Sequence, residues 1–505
     1  MSRRTYRGPL AMDLFRPLER DGVQLLNDQL VERIAGMIAM RRLRPDDYLP
    51  PIRLLAAKLR VNAGTVTKAY ETLRRQGFLR ADSTRGLRVA RVEAPSPPSA
   101  ERAWAAPVMR PVVPVDPLGV ELPRPAAVSV ARFHVSEPGV DLMPAGLVAR
   151  AFTAALAAGG GLRYAPLGGL EDTHAAVERY LRQRGVALAG AEVLLTTGTT
   201  QSLAIITRAI LPPGGVVLTE HPTWHVALSI FAAAGARVIA LPVDSHGMQV
   251  ASLADAVLRH NPAFVYLQPT FQNPTGVSLS AERREQLLTL ARKYQLPVVE
   301  DDFAAELAFR AMAAPLRVAD GAQVVIYLKS FAKLIAPALR IGIMVAPTRY
   351  ARVFRNVRHG LDPFVSAIAQ RALAECLNSR EFEDHVRTLT ASLGQRWQAL
   401  DRALHRRMPQ DVRWTSPIGG LCAWLELPTR IRPDELIRDA AKRGVDLAPG
   451  RLFCVDDSGD HGLRLAFAAT TPAEIDAGVD IMGDVLDVHV RGRRAREERS
   501  GAVAP

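Results

Sequence analysis

Lys333 stands in the run Tyr327-Leu-Lys-Ser-Phe-Ala-Lys333-Leu-Ile-Ala-Pro-Ala-Leu-Arg340-Ile-Gly342, just after the apolar segment Val324 to Leu328. A lysine buried at the end of a strand can deprotonate and form an imine with a carbonyl compound. That chemistry points to pyridoxal phosphate. A lone lysine is more often a solvated surface residue, so the weight rests on three further segments that offer what the same cofactor needs. They are the turn Gln272-Asn273-Pro-Thr-Gly276, the acidic strand end Glu300-Asp301-Asp302-Phe303, and Thr197-Gly198-Thr199-Thr200-Gln201. All lie at or near the ends of apolar, strand-like runs. Gly198, Thr199 and Thr200 also open a helical stretch, so their amides can point at a phosphate.

The elements that must hold these residues read as an alternation. From about Ala131 to Leu486, helical stretches alternate with short apolar runs at 193–195, 216–218, 263–267, 297–299 and 324–328. This pattern predicts an α/β domain with a mainly parallel sheet covered by helices. Ahead of it, residues 93–130 are rich in proline with few periodic apolar positions, the composition of an extended linker. Residues 491–505 are charged and then small, which predicts a basic, disordered tail.

The first 92 residues read differently. Leu25, Leu26, Leu30, Ile34, Met37 and Ile38 make a helical stripe, which Leu43-Arg-Pro45-Asp-Asp47 breaks. Pro51 is placed to open a second helix at its first position, with Leu54, Leu55 and Leu59 facing inward. Asn62 or Thr65 can cap a third helix whose buried face is Val66, Ala69, Tyr70 and Leu73. Gly77-Phe-Leu79 and Ser83-Thr-Arg85-Gly86-Leu87-Arg88-Val89 read as a short hairpin with arginines at its tip. Three helices and a basic hairpin make a winged helix-turn-helix, here bounded at residues 20–92. The cofactor domain is bounded at 131–490.

Charge follows the same division. The 505-residue chain carries a net charge of +13, with 19 Lys/Arg against 9 Asp/Glu in residues 1–92 and balance across 93–490. A basic small domain joined to a neutral large one predicts a polyanion partner for the first and a small-molecule partner for the second. Three widely spaced cysteines support neither a disulfide framework nor a zinc site, and no other metal site is expected. No apolar run reaches the length of a membrane span, so a cytoplasmic protein with no membrane partner is expected.

Residues 24–91 resemble the GntR family of winged helix-turn-helix regulators through Leu49-Pro-Pro-Ile-Arg53-Leu-Leu-Ala56 and Val61-Asn-Ala-Gly-Thr65-Val66-Thr67-Lys68-Ala-Tyr70. Two departures stand out. Pro51 replaces the usual serine, and Asn62-Ala63 replaces Ser-Arg, removing an arginine that commonly touches DNA. Thr65, Thr67 and Lys68 lie near the start of the third helix, the part that meets base edges or phosphates when such a helix enters the major groove. Arg53 can reach phosphate from the second helix, and Arg85 and Arg88 can do so from the wing.

Residues 131–486 resemble the aminotransferase-like domain of MocR regulators, a GntR subfamily, and more distantly fold-type I aminotransferases. The resemblance implies pyridoxal 5'-phosphate on Lys333, with Asp301 favoured over Glu300 and Asp302 beside the ring nitrogen. It implies Asn273 as donor to the ring oxygen and Trp224 as the stacking ring. Ser330 and Arg340 match phosphate contacts, joining Gly198, Thr199 and Thr200. Tyr164 is similar to a tyrosine that reaches the phosphate across a domain-swapped homodimer, and Arg464 to an arginine that pairs with an effector carboxylate. Phe303 replaces a tyrosine that donates to the ring oxygen. Ala332 and Lys329 replace serine and glycine, and Lys329 is read as a surface charge in preference to a second cation near the phosphate. The implied function is a regulator that binds operator DNA and senses pyridoxal phosphate or an amino compound exchanging onto it. The competing reading is a working aminotransferase with an accessory DNA-binding domain.

Overall fold

The computed structural model describes residues 18, 26–39, 43, 47–75, 78–82, 86–90, 129–157, 162–321 and 323–501. They belong to two compact units that divide after residue 112. The expected linker falls almost wholly outside the described residues, as does Arg85.

The N-terminal unit consists of α1 (Leu26–Ala39), α2 (Ile52–Leu59), α3 (Ala63–Arg75) and an antiparallel hairpin of β1 (Leu79–Asp82) and β2 (Gly86–Val89). Leu30, Ile34, Leu55, Leu59, Val66, Ala69, Tyr70 and Leu73 share one core, as the periodicity predicts. The Tyr70 hydroxyl donates to the Pro50 carbonyl at 2.9 Å and ties α3 to the entry of α2. Of the two candidate caps Asn62 fills the place: its Oδ1 accepts from Gly64 N–H at 2.8 Å, and Thr65 lies inside the helix. Two expectations are corrected. Pro51 precedes α2 as its cap and is not its first helical residue, and Leu54 is 47% exposed because the buried stripe of this short helix runs through Leu55, Ala56 and Leu59.

The C-terminal unit opens with β3 (Ala131–Arg132), α4 (Ala145–Ala157) and α5 (Glu171–Gln183). There follow β4 (Ala191–Thr196), α6 (Thr199–Ile210), β5 (Val216–His221), α7 (His225–Ala233), β6 (Arg237–Asp244), β7 (Gly247–Met248) and α8 (Leu253–His260). Next come β8 (Phe264–Leu267), α9 (Ala281–Tyr294), β9 (Val298–Asp302), α10 (Leu316–Asp320), β10 (Val325–Ser330) and β11 (Gly342–Pro347). These strands form one sheet in the order β4-β11-β10-β9-β8-β5-β6-β7. The pairs of β10, β9, β8, β5 and β6 are parallel, and β11 and β7 pair antiparallel with their neighbours. Central strands of a parallel sheet are covered on both faces, and β8 and β9 are buried along their length, β9 including its acidic end Glu300-Asp301-Asp302.

The remainder is α11 (Thr348–Leu361), α12 (Ala367–Asn378), α13 (Arg380–Arg407), β12 (Arg413–Trp414), β13 (Cys422–Glu426), α14 (Pro433–Lys442), β14 (Val445–Asp446), β15 (Ala448–Pro449), β16 (Gly462–Ala466) and α15 (Pro472–Gly501). A small antiparallel sheet runs β12-β13-β16-β15, and β14 pairs with β3. Where a disordered tail is expected from Arg491, the backbone of α15 runs on to Gly501, and residues 502–505 lie outside the described residues. Ile475, Val479, Met482 and Leu486 anchor its first turns in the core, and the Arg, Ala and Glu residues that follow are good helix formers.

Candidate functional site

The carboxyl ends of the parallel strands are where ligands bind in open α/β sheets, and here five strand ends deliver parts of one cavity of about 300 Å³. Gly198, Thr199 and Thr200 come from the end of β4, Trp224 from β5, Gln268 and Asn273 from β8, Asp301 and Phe303 from β9, and Ser330 and Lys333 from β10. Arg340 and Arg464 close it. Lys333 and all but one of its expected companions are therefore brought together. Tyr164 is the exception: it is 83% exposed, stacks on Phe364 with ring centroids 4.6 Å apart, and lines a separate depression that shares Arg340.

At one end of the cavity lies the start of α6, whose first-turn amides have no partner within the helix, an arrangement that can seat an anion. Gly198, the cap of α6, has φ 121°, backbone that an L side chain resists. A Cβ on Gly342 would lie 2.8 Å from Gly198 Cα, so two glycines allow the close approach of β11 to this turn. The Thr199 hydroxyl is buried with no hydrogen-bond partner, and Ser330 Oγ accepts from Ala332 N–H at 3.2 Å within its own turn.

At the other end the acidic strand end sorts itself by strand alternation. Glu300 accepts from the Leu316 and Arg317 amides at 2.7 and 2.9 Å. Asp302 accepts from the Tyr327 hydroxyl at 2.7 Å. Of the three acids, Asp301 alone lines the cavity. Its Oδ2 accepts from Tyr266 at 2.8 Å and Gln268 at 2.9 Å, whereas its Oδ1 is buried without a partner. Burial raises its pKa to about 6, against the two hydrogen bonds. A buried carboxylate oxygen held in place and unpaired fits a protonated ring nitrogen.

Lys333 is pushed below the ordinary lysine range by burial, and Arg464 and Arg340 push the same way while Glu137 opposes them. Arg464 is buried; it donates to Asn273 Oδ1 at 3.2 Å and to the His134 carbonyl, and lies over the Phe453 ring. With Oδ1 so engaged, the Asn273 amide hydrogens are the part free to donate. Phe303 is 8% exposed and lines the cavity.

Several lining residues escaped sequence reasoning: Gln268, His134, Ser136, Glu137 and His225, with Tyr266 behind Asp301. Gln268 had a signal, standing at the end of an apolar run five residues before Asn273. His134, Ser136 and Glu137 had none, because they come from a loop after a two-residue strand.

The surface reading of Lys329 is overturned. It is fully buried, bonded to Glu306 and 3.8 Å from Asp302. Arg184 Nη1 lies 3.0 Å from the same glutamate, and Tyr180 donates to it. The alternation of β10 explains the placement: Lys329 is in register with Asp302, so it joins that acid's side of the sheet and not the cavity.

In the N-terminal unit Arg53 and Lys68 are exposed, Thr65, Thr67 and Arg88 half-buried. Thr67 Oγ1 donates to the Ala63 carbonyl at 3.0 Å. Among the described residues no cluster could hold a metal ion, and no helix is long and apolar enough to cross a membrane.

A winged helix followed by a strand-end cavity with a lysine, an unpaired acid and a helix-start anion seat defines a DNA-binding unit joined to an aminotransferase-type unit. The family of class I and II aminotransferases matches residues 136–482, and that of the bacterial regulatory proteins of the gntR family matches residues 26–89. The chain belongs to the class I and II aminotransferase family and carries a GntR domain, the arrangement of MocR-type regulators. It is 29% identical to the probable rhizopine catabolism regulatory protein MocR of Rhizobium meliloti, over 92% of this chain and 94% of that one. It is 32% identical to the 2-aminoadipate transaminase of Thermus thermophilus, over 64% of this chain and 81% of that one. A crystal structure of Pyrococcus horikoshii kynurenine aminotransferase in complex with PMP superposes with a TM-score of 0.67 at 28% identity, covering 71% of this chain and 90% of that one. Fold-type I aminotransferases depend on pyridoxal 5'-phosphate, and the unpaired Asp301 oxygen and the anion seat at α6 fit that group.

Proposed function

We propose that this protein is a pyridoxal phosphate-dependent transcription regulator whose winged helix binds operator DNA and whose aminotransferase-like unit senses the cofactor or an amino compound. Bound pyridoxal phosphate supplies a carbonyl that exchanges between amines and a ring that withdraws electrons. Lys333 is the amine that holds it, kept readily deprotonated by burial. Asp301 faces the ring nitrogen, Asn273 donates to the ring oxygen, and Trp224 covers the ring. The amides of Gly198, Thr199 and Thr200, the Ser330 hydroxyl and Arg340 hold the phosphate, and Arg464 takes a carboxylate bidentately. Tyr164, exposed beside Arg340, serves the phosphate of a second protomer, so the working unit is a homodimer presenting two winged helices to paired half-sites.

The observation that carries this reading is the unpaired, buried Asp301 Oδ1 in a chain that also exposes Arg53 and Lys68 on a GntR domain. The experiment is selection of DNA from a random pool by the full-length protein, with and without pyridoxal phosphate. Enrichment that depends on the cofactor supports sensing. Retention of Lys333 favours a second reading, a working aminotransferase, because transamination needs the freed lysine to move a proton. Keto-acid formation from amino acids with DNA binding unaffected by the cofactor would establish that reading instead.

A further inference from the structure

Gln268 is buried and lines the cavity, and the two ends of its amide meet the two residues proposed to meet the ring. Its Nε2 donates to Asp301 Oδ2 at 2.9 Å, and its Oε1 accepts from Asn273 N–H at 2.9 Å. That orientation is forced, because a carboxylate accepts and a backbone N–H donates. The backbone of Gln268 is held as well: its own N–H donates at 2.8 Å to Oε2 of Glu220, on the neighbouring strand β5.

Each bond has a consequence at the ring. Asp301 Oδ2 carries both donors, Gln268 and Tyr266, so Oδ1 is the oxygen left unpaired. Burial raises the Asp301 carboxyl, and the Gln268 bond is foremost among the contacts that oppose it, ahead of Tyr266. Asn273 is held from two sides, its N–H by Gln268 and its Oδ1 by Arg464 at 3.2 Å. Among the described residues no other side chain bonds both Asp301 and Asn273. Asparagine in its place would carry the same amide on a shorter stem, out of reach of one partner.

We infer that Gln268 is the positioning residue of the cofactor ring: one amide aims the acid that faces the ring nitrogen and fixes the turn that donates to the ring oxygen. The inference rests on the pyridoxal phosphate reading and holds whether the site senses or transaminates. Gln268→Met removes both bonds at similar volume. Asp301 then loses a donor that favours its ionised form, so the proton it shares with the ring nitrogen moves toward the carboxylate. Asn273 loses an anchor at the same time and donates less well to the ring oxygen.

The test compares full-length wild type, Gln268→Met, Gln268→Asn and Tyr266→Phe, each loaded with pyridoxal phosphate carrying the heavy nitrogen isotope in its ring. Gln268→Met should move the ring-nitrogen resonance toward that of an unprotonated pyridine and raise the pH midpoint of the visible absorbance. It should also weaken cofactor binding about ten-fold. Gln268→Asn keeps the polar group, which guards against a misfolded methionine variant, and should move all three readouts the same way. Tyr266→Phe removes the other donor to Asp301 but leaves Asn273 tied, so it should move the resonance while moving the midpoint less than Gln268→Met does. A resonance and a midpoint unmoved in the folded Gln268 variants would overturn the inference even if binding weakened, since a merely structural role changes affinity alone. Equal midpoint shifts in Tyr266→Phe and Gln268→Met would overturn the bridge to Asn273. Wild type that binds no pyridoxal phosphate would instead overturn the cofactor reading on which the inference rests.

Discussion

In the N-terminal unit Arg53, Lys68 and Arg80 stand on the surface, whereas in the C-terminal unit Lys329, Arg317 and Arg464 are buried and each is pinned by specific partners. Exposed cations act together on a polyanion, and their effect is set by number and screened by salt. Buried ones act singly, through geometry, and are costly when a partner is removed. The first arrangement suits recognition of a phosphate backbone. The second suits a small ligand whose every charge must be met.

That contrast breaks most completely at Lys333. Lys333→Ala should abolish the visible cofactor band and any reducible covalent adduct, and absorbance after borohydride reduction checks it; a variant that keeps both would reject Lys333 as the attachment point. Lys329→Met comes next. It would leave buried Glu306 to Arg184 and the Tyr180 hydroxyl, so the cost in urea denaturation should stay below the roughly 3–5 kcal/mol of a buried charge left without a partner. Burial alone would raise the Glu306 carboxyl, but Lys329 and Arg184 outweigh it and bring it down to about 2. Its contribution is therefore full above the ordinary glutamate range and is lost as pH falls toward about 2.

Exposed cations should show smaller, additive effects. Lys68→Ala and Arg53→Ala should each flatten the slope of log affinity against log salt by about 0.9, measured by fluorescence anisotropy on DNA selected by the protein. A slope unchanged in both variants would remove these residues from the interface. The smallest effect is expected at Phe303, which lines the cavity. Phe303→Tyr should add one donor to the ring oxygen, of roughly 1 kcal/mol, and so favour its ionised form. The pH midpoint of the cofactor's visible absorbance should fall in the tyrosine variant, and coincident titrations would show that position 303 does not act on the ring.

What the sequence disclosed divides along the same line. The parallel strands were legible because β8, β9 and β10 are apolar runs ended by polar residues, and the chemistry at their ends follows from that punctuation. Winged-helix periodicity was legible for a similar reason, in Val66, Ala69, Tyr70 and Leu73. Lys329 was misread because its partner Glu306 lies 23 residues away, and a pairing formed only by tertiary structure leaves no local signal. Glu137 and Ser136 were missed on the same grounds, since a loop has no period. The continuation of α15 past Arg491 was masked by charge, which composition alone counts toward disorder.

The central claim is that one chain couples cofactor occupancy to DNA. Anisotropy of a selected DNA fragment should therefore be measured with full-length wild type and Lys333→Ala, each with and without pyridoxal phosphate. The account predicts that the cofactor changes the affinity of the wild type and leaves that of the variant unaltered. Equal affinities in all four titrations, with DNA bound throughout, would contradict it.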